Sequence, residues 1–361
     1  MRIAQVAPLW ERVPPPAYGG TELVVGLLTD ELVRRGHEVT LFATGDSISL
    51  AKLAAVHPRP LRHDSTIKEY SVYEMMHLAS VYERAEEFDI IHCHTGYTGL
   101  AYAHLVTTPT VHTLHGIFTP DNEKIFMFGK KQAFVSISDA QREPKLGLNY
   151  IATVYNGIDV SSYKFCPQAE DPPYLAFLGR ISPEKGVHLA IEIAKKTGYC
   201  LKIAGKIDAV DLEYFEKQIK PQIDSKQIQY LGEANHTQKN ALMGGAVATL
   251  FPITWREPFG LVMVESMASG TPVIAMKLGS TVEVISHGKT GLLCNNIPEC
   301  ISAIDQVTKL DRYACRKYVE SRFSVQEMTN GYEAVYQQIL AKRFAHNGRL
   351  RSLVSLTNSH T

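Results

Sequence analysis

Glu257 and Glu265 enclose the run Pro-Phe-Gly-Leu-Val-Met-Val, which is almost wholly apolar. From Phe259-Gly260 onward this run reads as a buried helix, with Glu265 about two turns inside it. Even a neutral polar group costs roughly 2–7 kcal/mol to bury without a partner. Glu265 therefore needs a partner that the local run does not supply, and a polyhydroxylated ligand would be one. Phe259 and Gly260 open the helix, where unpaired N–H groups and a partial positive charge suit a phosphate. A ligand with a sugar on one side of a phosphate and a ribose on the other would satisfy both carboxylates. The plainer alternative makes Glu257 an exposed loop charge and pairs Glu265 with an arginine.

Three further motifs carry chemistry. In Phe177-Leu-Gly-Arg-Ile-Ser-Pro-Glu-Lys-Gly186 a strand runs into a glycine turn bearing Arg180 and Lys185. A planar fork and a point charge at the carboxyl end of a strand suit a diphosphate; otherwise they are two solvated cations. In Ala17-Tyr-Gly-Gly-Thr-Glu22, Gly19 and Gly20 allow close approach of backbone to ligand, with Thr21 as the expected N-cap. The chain has neither Gly-x-Gly-x-x-Gly at this turn nor a P-loop. In His112-Thr-Leu-His-Gly116, His115 stands at a strand end, where it could bond a substrate hydroxyl or support developing charge. His92 and His94 stand at another strand end. No helical His-x3-His or adjoining carboxylate accompanies them, so no metal site and no cofactor are expected. Asn156-Gly157 reads as a structural turn.

These residues need a scaffold, and the chain supplies one by alternating short apolar runs with helical patterns, as α/β folds with parallel sheets do. In the first half strands are predicted at Ile3–Ala7, Glu38–Phe42, Ile90–His92, Thr110–Thr113 and Ala133–Ile137, with a helix from Thr21 to Arg35 closed by Gly36. In the second half strands are predicted at Tyr174–Phe177, Leu201–Ala204, Ile228–Tyr230, Ala248–Phe251 and Val273–Ala275. Helices are predicted at Val187–Thr197, Val210–Ile223, Thr237–Gly244, Leu261–Ala268, Pro298–Thr308 and Gln326–Lys342. The expected organisation is a first doubly wound domain over residues 1–160, a proline-bearing linker over 161–173 and a second such domain over 174–322. A helix over 323–344 follows, then a disordered tail over 345–361. Ligands of such sheets bind at the carboxyl ends of the strands, which puts the site between the domains.

Composition narrows the partners. Lys and Arg number 37, as do Asp and Glu, so no basic field exists to attract nucleic acid. The six cysteines form no Cys-x-x-Cys pair and read as reduced thiols of a cytoplasmic protein. Residues Arg2 to Ala7 read as a first strand rather than a signal peptide, and no apolar stretch is long enough to span a bilayer. Peripheral membrane association is not expected, although Lys342, Arg343, Arg349 and Arg351 cluster near the C-terminus.

Taken together, Gly19-Gly20, Gly36-His-Glu-Val39, His115-Gly116, Asn156-Gly-Ile-Asp159, Gly179-Arg180 with Lys185-Gly186, Glu257 to Glu265, Gly270-Thr-Pro-Val273 and Glu283 before Gly288 resemble the retaining glycosyltransferases of family 4 (GT4), over roughly residues 1–340. The resemblance implies an α/β GT-B fold, with two Rossmann-like domains facing a cleft and the last helix crossing back to the first domain. It implies that Arg180 and Lys185 hold a donor diphosphate, helped by amides near Gly260 and Leu261. Glu257 would then contact sugar hydroxyls, Glu265 the nucleotide ribose, Gly20 the diphosphate and His115 the donor sugar. The chain lacks Asp-x-Asp, in keeping with metal-independent chemistry. Where the family often has Gly-Gly-x-x-Glu, this chain has Ser280 as the second residue, which leaves the local donor contact open. The chain as a whole, and especially its Leu9–Tyr18 loop with Trp10 and Tyr18, is similar to UDP-glucose:tetrahydrobiopterin glucosyltransferases, a resemblance that implies a UDP-glucose donor and a small-molecule hydroxyl acceptor such as a pteridine. The competing readings are a nucleotide-sugar epimerase on the same fold and a non-catalytic nucleotide-sugar-binding protein.

Overall fold

Strands buried on both faces are near-continuous apolar runs, and the helices between them must cover both sides. Tyr174–Leu178 is buried at every position, and Arg2–Val6 at all but its first. The computed structural model describes residues 1–17 and 19–357, with side chains to residue 343. In the first domain the strands are β1 (Arg2–Val6), β2 (Glu38–Phe42), β3 (Lys52–Ala54), β4 (Ile90–Cys93), β5 (Thr110–Leu114), β6 (Ala133–Ser136) and β7 (Tyr150–Thr153). They form one parallel sheet in the order β3-β2-β1-β4-β5-β6-β7. In the second, β8 (Tyr174–Leu178), β9 (Cys200–Ala204), β10 (Ile228–Tyr230), β11 (Ala248–Phe251), β12 (Val273–Met276) and β13 (Gly291–Cys294) stand in the order β10-β9-β8-β11-β12-β13. The GT-B architecture follows from these two sheets. Strand order reverses between β1 and β4 and again between β8 and β11, and ligands bind at such switch points.

Four helices accompany the first sheet: α1 (Gly20–Arg34), α2 (Tyr70–Tyr82), α3 (Leu100–Ala103) and α4 (Asn122–Phe128). The second has α5 (Val187–Thr197), α6 (Leu212–Tyr214), α7 (His236–Gly245), α8 (Leu261–Ala268), α9 (Thr281–Val284), α10 (Ile297–Val307) and α11 (Arg312–Arg322), and α12 (Val325–Thr357) follows. Alternation along the strands divides the cores. Ile3, Ile90 and Val111 pack under Leu28 and Leu32 of α1 and Tyr332 and Tyr336 of α12, while Ala4, Val6 and Ile91 pack under Leu78 and Val81 of α2. Burying one such leucine contributes about 1.5–3 kcal/mol.

The chain crosses between domains twice, and the crossings touch. Ile158 N–H donates to Phe323 O and Val325 N–H to Ile158 O, each at 2.9 Å. Beyond Ser324, α12 lies on the first domain, where Glu333 accepts from Arg35 at 2.6 Å and meets His37 at 2.8 Å. Residues 161–173 run along the second domain, Cys166 N–H bonding Ser269 O at 3.0 Å and Glu170 N–H bonding Gly245 O at 2.8 Å.

Every predicted strand is present to within one residue at either end. Val210–Ile223 is not one helix. It breaks into a 3-10 turn, α6, a π-helical turn at Phe215–Ile219 and another 3-10 turn at Lys220–Gln222. Pro221 lacks an N–H and crowds the carbonyl four residues back. α12 continues to Thr357, past the expected start of a tail at residue 345, and residues 358–361 lie outside the described residues. Among the described residues no helix is long and apolar enough to cross a membrane.

Candidate active site

A cleft of about 370 Å³ opens where the carboxyl ends of the two sheets face each other. Gly19, Gly20, His115, Arg180, Lys185, Glu257, Phe259, Gly260, Leu261 and Glu265 all line it. Several polar contacts draw the domains together beside it. Glu283 accepts from the N–H groups of Asp139 and Ala140 at 2.8 and 2.7 Å, and Ser138 Oγ donates to Pro258 O at 2.7 Å. On the other flank Arg62 reaches Asp208 at 3.2 Å.

Glu257 is 7 % exposed, so it is no free loop charge. Its Oε2 accepts from Lys185 Nζ at 2.5 Å and from Trp255 Nε1 at 2.9 Å. Ser280 braces the same loop from beneath, its N–H donating to Glu257 O at 3.0 Å and its hydroxyl to Phe259 O at 2.8 Å. The serine standing where the family often has glycine thus serves backbone carbonyls. Gly260 is the N-cap of α8 at φ 81°, with no side-chain cap. A Cβ there would meet Met263 Cε at 2.7 Å and Phe251 Cζ at 3.0 Å, so both the positive φ and the close packing favour glycine at the start of α8.

Arg180 is enclosed by acids. It bonds Glu184, and Asp208 and Asp211 each approach to 3.8 Å. An anionic ligand here would exchange protein carboxylates for its own charge.

Glu265 is 3 % exposed, and its protein partners do not include the arginine considered above. Oε1 accepts from Tyr163 Oη at 2.8 Å and Lys239 Nζ at 2.9 Å. Burial pushes the carboxyl up, yet the Lys239 ammonium and the Tyr163 hydroxyl outweigh it and hold the group below its ordinary value. Its other oxygen, Oε2, takes no hydrogen bond from the described residues. Lys239 escaped the sequence reading because it sits on α7, and nothing in its run Thr-Gln-Lys-Asn marks it.

The first-domain wall has a different character. α1 begins one residue earlier than expected, with Gly19 rather than Thr21 as N-cap at φ 138° and no side-chain cap. His115 Nε2 meets His94 Nδ1 at 2.9 Å. Burial pushes His115 down to about 4, so the ring is neutral at pH 7. Among the described residues no group of three or more His, Cys, Asp or Glu is placed to hold a metal ion. Asn156, read as a structural turn, also lines the cleft, and its Oδ1 is buried without a hydrogen-bond partner. Glu22, behind the glycine pair, is pushed up to about 7 by burial and by the nearby Glu11. Of the two loop aromatics, Trp10 packs on Tyr70 with ring centroids 5.1 Å apart, and Tyr18 lies outside the described residues.

Comparison with known proteins gives the cleft a context. Residues 18–162 match the family model described as Glycosyltransferase Family 4, and residues 163–320 match Glycosyl transferases group 1. The chain is 25% identical to an uncharacterized glycosyltransferase of Methanocaldococcus jannaschii, over 88% of this chain and 91% of that protein. It is 26% identical to the N-acetyl-alpha-D-glucosaminyl L-malate synthase of Bacillus anthracis, over 93% and 97% of the two chains. Among solved structures, the Anabaena protein HepE in complex with UDP and glucose superposes with a TM-score of 0.72 at 20% identity, covering 94% of this chain and 100% of that one.

Proposed function

The chain belongs to the glycosyltransferases of the GT-B fold, a family 4 module followed by a group 1 module, and we propose that it moves a sugar from a nucleoside-diphosphate donor to a hydroxyl of a small-molecule acceptor with retention of configuration. UDP-glucose is the favoured donor, because HepE, of the same fold, was solved with UDP and glucose. One observation carries the reading: two cations, two helix N-termini without side-chain caps and two buried carboxylates converge on a single interdomain cleft.

In this reading the diphosphate lies between Arg180, Lys185 and the start of α8. The ribose bonds Glu265 Oε2, and the donor sugar lies between Glu257 and His115. As the glycosidic bond breaks, negative charge grows on the leaving diphosphate. Arg180, Lys185 and the amides near Gly260 and Leu261 stabilise that charge where it develops, and removing one such donor typically costs about 10²–10³ in rate. Glu257 is held by Lys185 and Trp255, which suits recognition of hydroxyls rather than nucleophilic attack. A donor phosphate oxygen takes the acceptor proton, so neither a protein nucleophile nor a metal ion is needed. The acceptor enters from the first-domain side, where a pteridine is one candidate.

The test is a thermal-shift screen of nucleotide sugars, followed by acceptor screening with the strongest donor and assay of nucleoside diphosphate release without added metal. Donor- and acceptor-dependent release, lost in Glu257→Ala and Lys185→Ala, is the expected result. Full turnover in both variants would refute the site, and an epimerised sugar formed without acceptor would refute the reaction.

A further inference from the structure

His115 is the cleft end of a buried chain of neutral polar groups. On the sheet face that carries Ile3, Ile90 and Val111, alternation brings Gln5, His92, His94, Thr113 and His115 to the carboxyl ends of β1, β4 and β5. The apolar residues of that face contact α1 and α12. Gln5, His92, His94, Thr113, Tyr332 and Tyr336 are each at most 2 % exposed. Filling this space with polar groups is unfavourable unless every donor finds an acceptor.

The bonds run in one direction. His94 Nε2 lies 3.0 Å from Gln5 Oε1, an oxygen that can only accept. The His94 proton is therefore on Nε2, and Nδ1 is an acceptor. His115 Nε2, 2.9 Å from that Nδ1, must donate to it. Beyond Gln5 the sense continues. Gln5 Nε2 donates to Tyr336 Oη at 3.0 Å, and that hydroxyl lies 2.7 Å from His92 Nδ1. His92 Nε2 stands 2.7 Å from Thr113 Oγ1, which donates to Tyr332 Oη at 3.1 Å. Burial pushes His92, His94 and His115 down, so each ring carries one proton at neutral pH. Turning the Gln5 amide by half a rotation would reverse every donor as far as His115.

We infer that Gln5 and His94 are positioning residues that hold His115 with Nε2 protonated and Nδ1 bare, so that the cleft offers an acceptor to a donor-sugar hydroxyl, and that Tyr336 of α12 keeps Gln5 in the orientation this requires. The sugar hydroxyl rests on the function proposed above; the proton arrangement does not. The helix that crosses back from the second domain thereby sets the polarity of an atom in the cleft, through the hydrogen bonds of Gln5 to Tyr336 and His94.

The experiment is nitrogen-15 correlation spectroscopy on the full chain with ring-labelled histidine, His115→Gln assigning the signal. Wild type should show His115 as the Nε2–H tautomer. Tyr336→Phe and Gln5→Leu should each convert His115 to a mixture of tautomers. In the transfer assay they should lower kcat about threefold and about tenfold, with the donor KM within twofold of wild type. An Nδ1–H tautomer in wild type overturns the inference, and so do variants that keep both the wild-type tautomer and kcat. The wild-type spectrum needs no substitution to fold. If no nucleotide sugar is turned over, the proposed function fails while the spectrum still decides the proton arrangement.

Discussion

The two walls of the cleft are built on opposite principles. The second-domain wall is charged, and its charges already have protein partners: Lys185 with Glu257, Arg180 with three acids, Glu265 with Lys239. The lower first-domain wall is a chain of neutral imidazoles, hydroxyls and an amide. Paired charges can be re-paired with a charged ligand at modest desolvation cost, since they are already partly withdrawn from water. A neutral chain does not bind an anion, but it fixes the direction in which one atom donates or accepts. On the proposed function, the donor diphosphate would belong to the second domain and orientation of the sugar to the first.

The largest expected contrast is acid sensitivity. His77, His92, His94, His112 and His115, all in the first domain, are driven down by burial, His77 and His112 to about 4. A folded value below the unfolded one means the native state binds fewer protons. Stability from these groups is complete above about pH 6.5 and is lost as pH falls toward 4, up to about 3 kcal/mol for each of His77 and His112. Hydrogen exchange corrected for intrinsic rates should show β1, β4 and β5 losing protection between pH 6.5 and 4.5 before β8, β9 and β11. Earlier opening of the second sheet would break the contrast.

Next comes Lys239→Met, which strands a buried carboxylate and should cost about 3–5 kcal/mol by denaturant unfolding. Adding Glu265→Met should recover most of that stability without restoring donor binding; a stable single variant would mean that Glu265 is neutral. Lys185→Ala should lower kcat about 10²–10³-fold, and an unchanged kcat would remove the charged wall from the chemistry. Smaller still is Glu22→Gln. Glu22 is raised to about 7, so its stabilisation is complete below about pH 4.5 and is lost as pH rises through 7. The variant should gain up to about 3 kcal/mol at pH 8 and nothing at pH 4. Equal effects at both pH values would show that the carboxyl does not titrate there.

The two walls also differed in legibility. Arg180, Lys185, Glu257 and Glu265 stand in short local runs whose chemistry shows without a fold. Their partners do not: Tyr163 is 102 residues from Glu265, and nothing in a single sequence pairs them. His92, His94 and His115 were visible as strand-end imidazoles. Their link to Tyr336, 244 residues from His92, depends on where α12 lies. β13 begins with a glycine and β3 has three residues, too little pattern to separate from loop. Pro221 lies inside the helix expected over Val210–Ile223, and its missing N–H accounts for the break at the end of that run, where Lys220–Gln222 is a 3-10 turn.

The most direct test of the account is calorimetric titration of UDP into the wild-type chain, Lys185→Ala and Gln5→Leu. The predicted result is saturable binding to wild type, affinity at least tenfold weaker in Lys185→Ala and unchanged affinity in Gln5→Leu. Absence of binding to wild type, or equal affinity in wild type and Lys185→Ala, would contradict it.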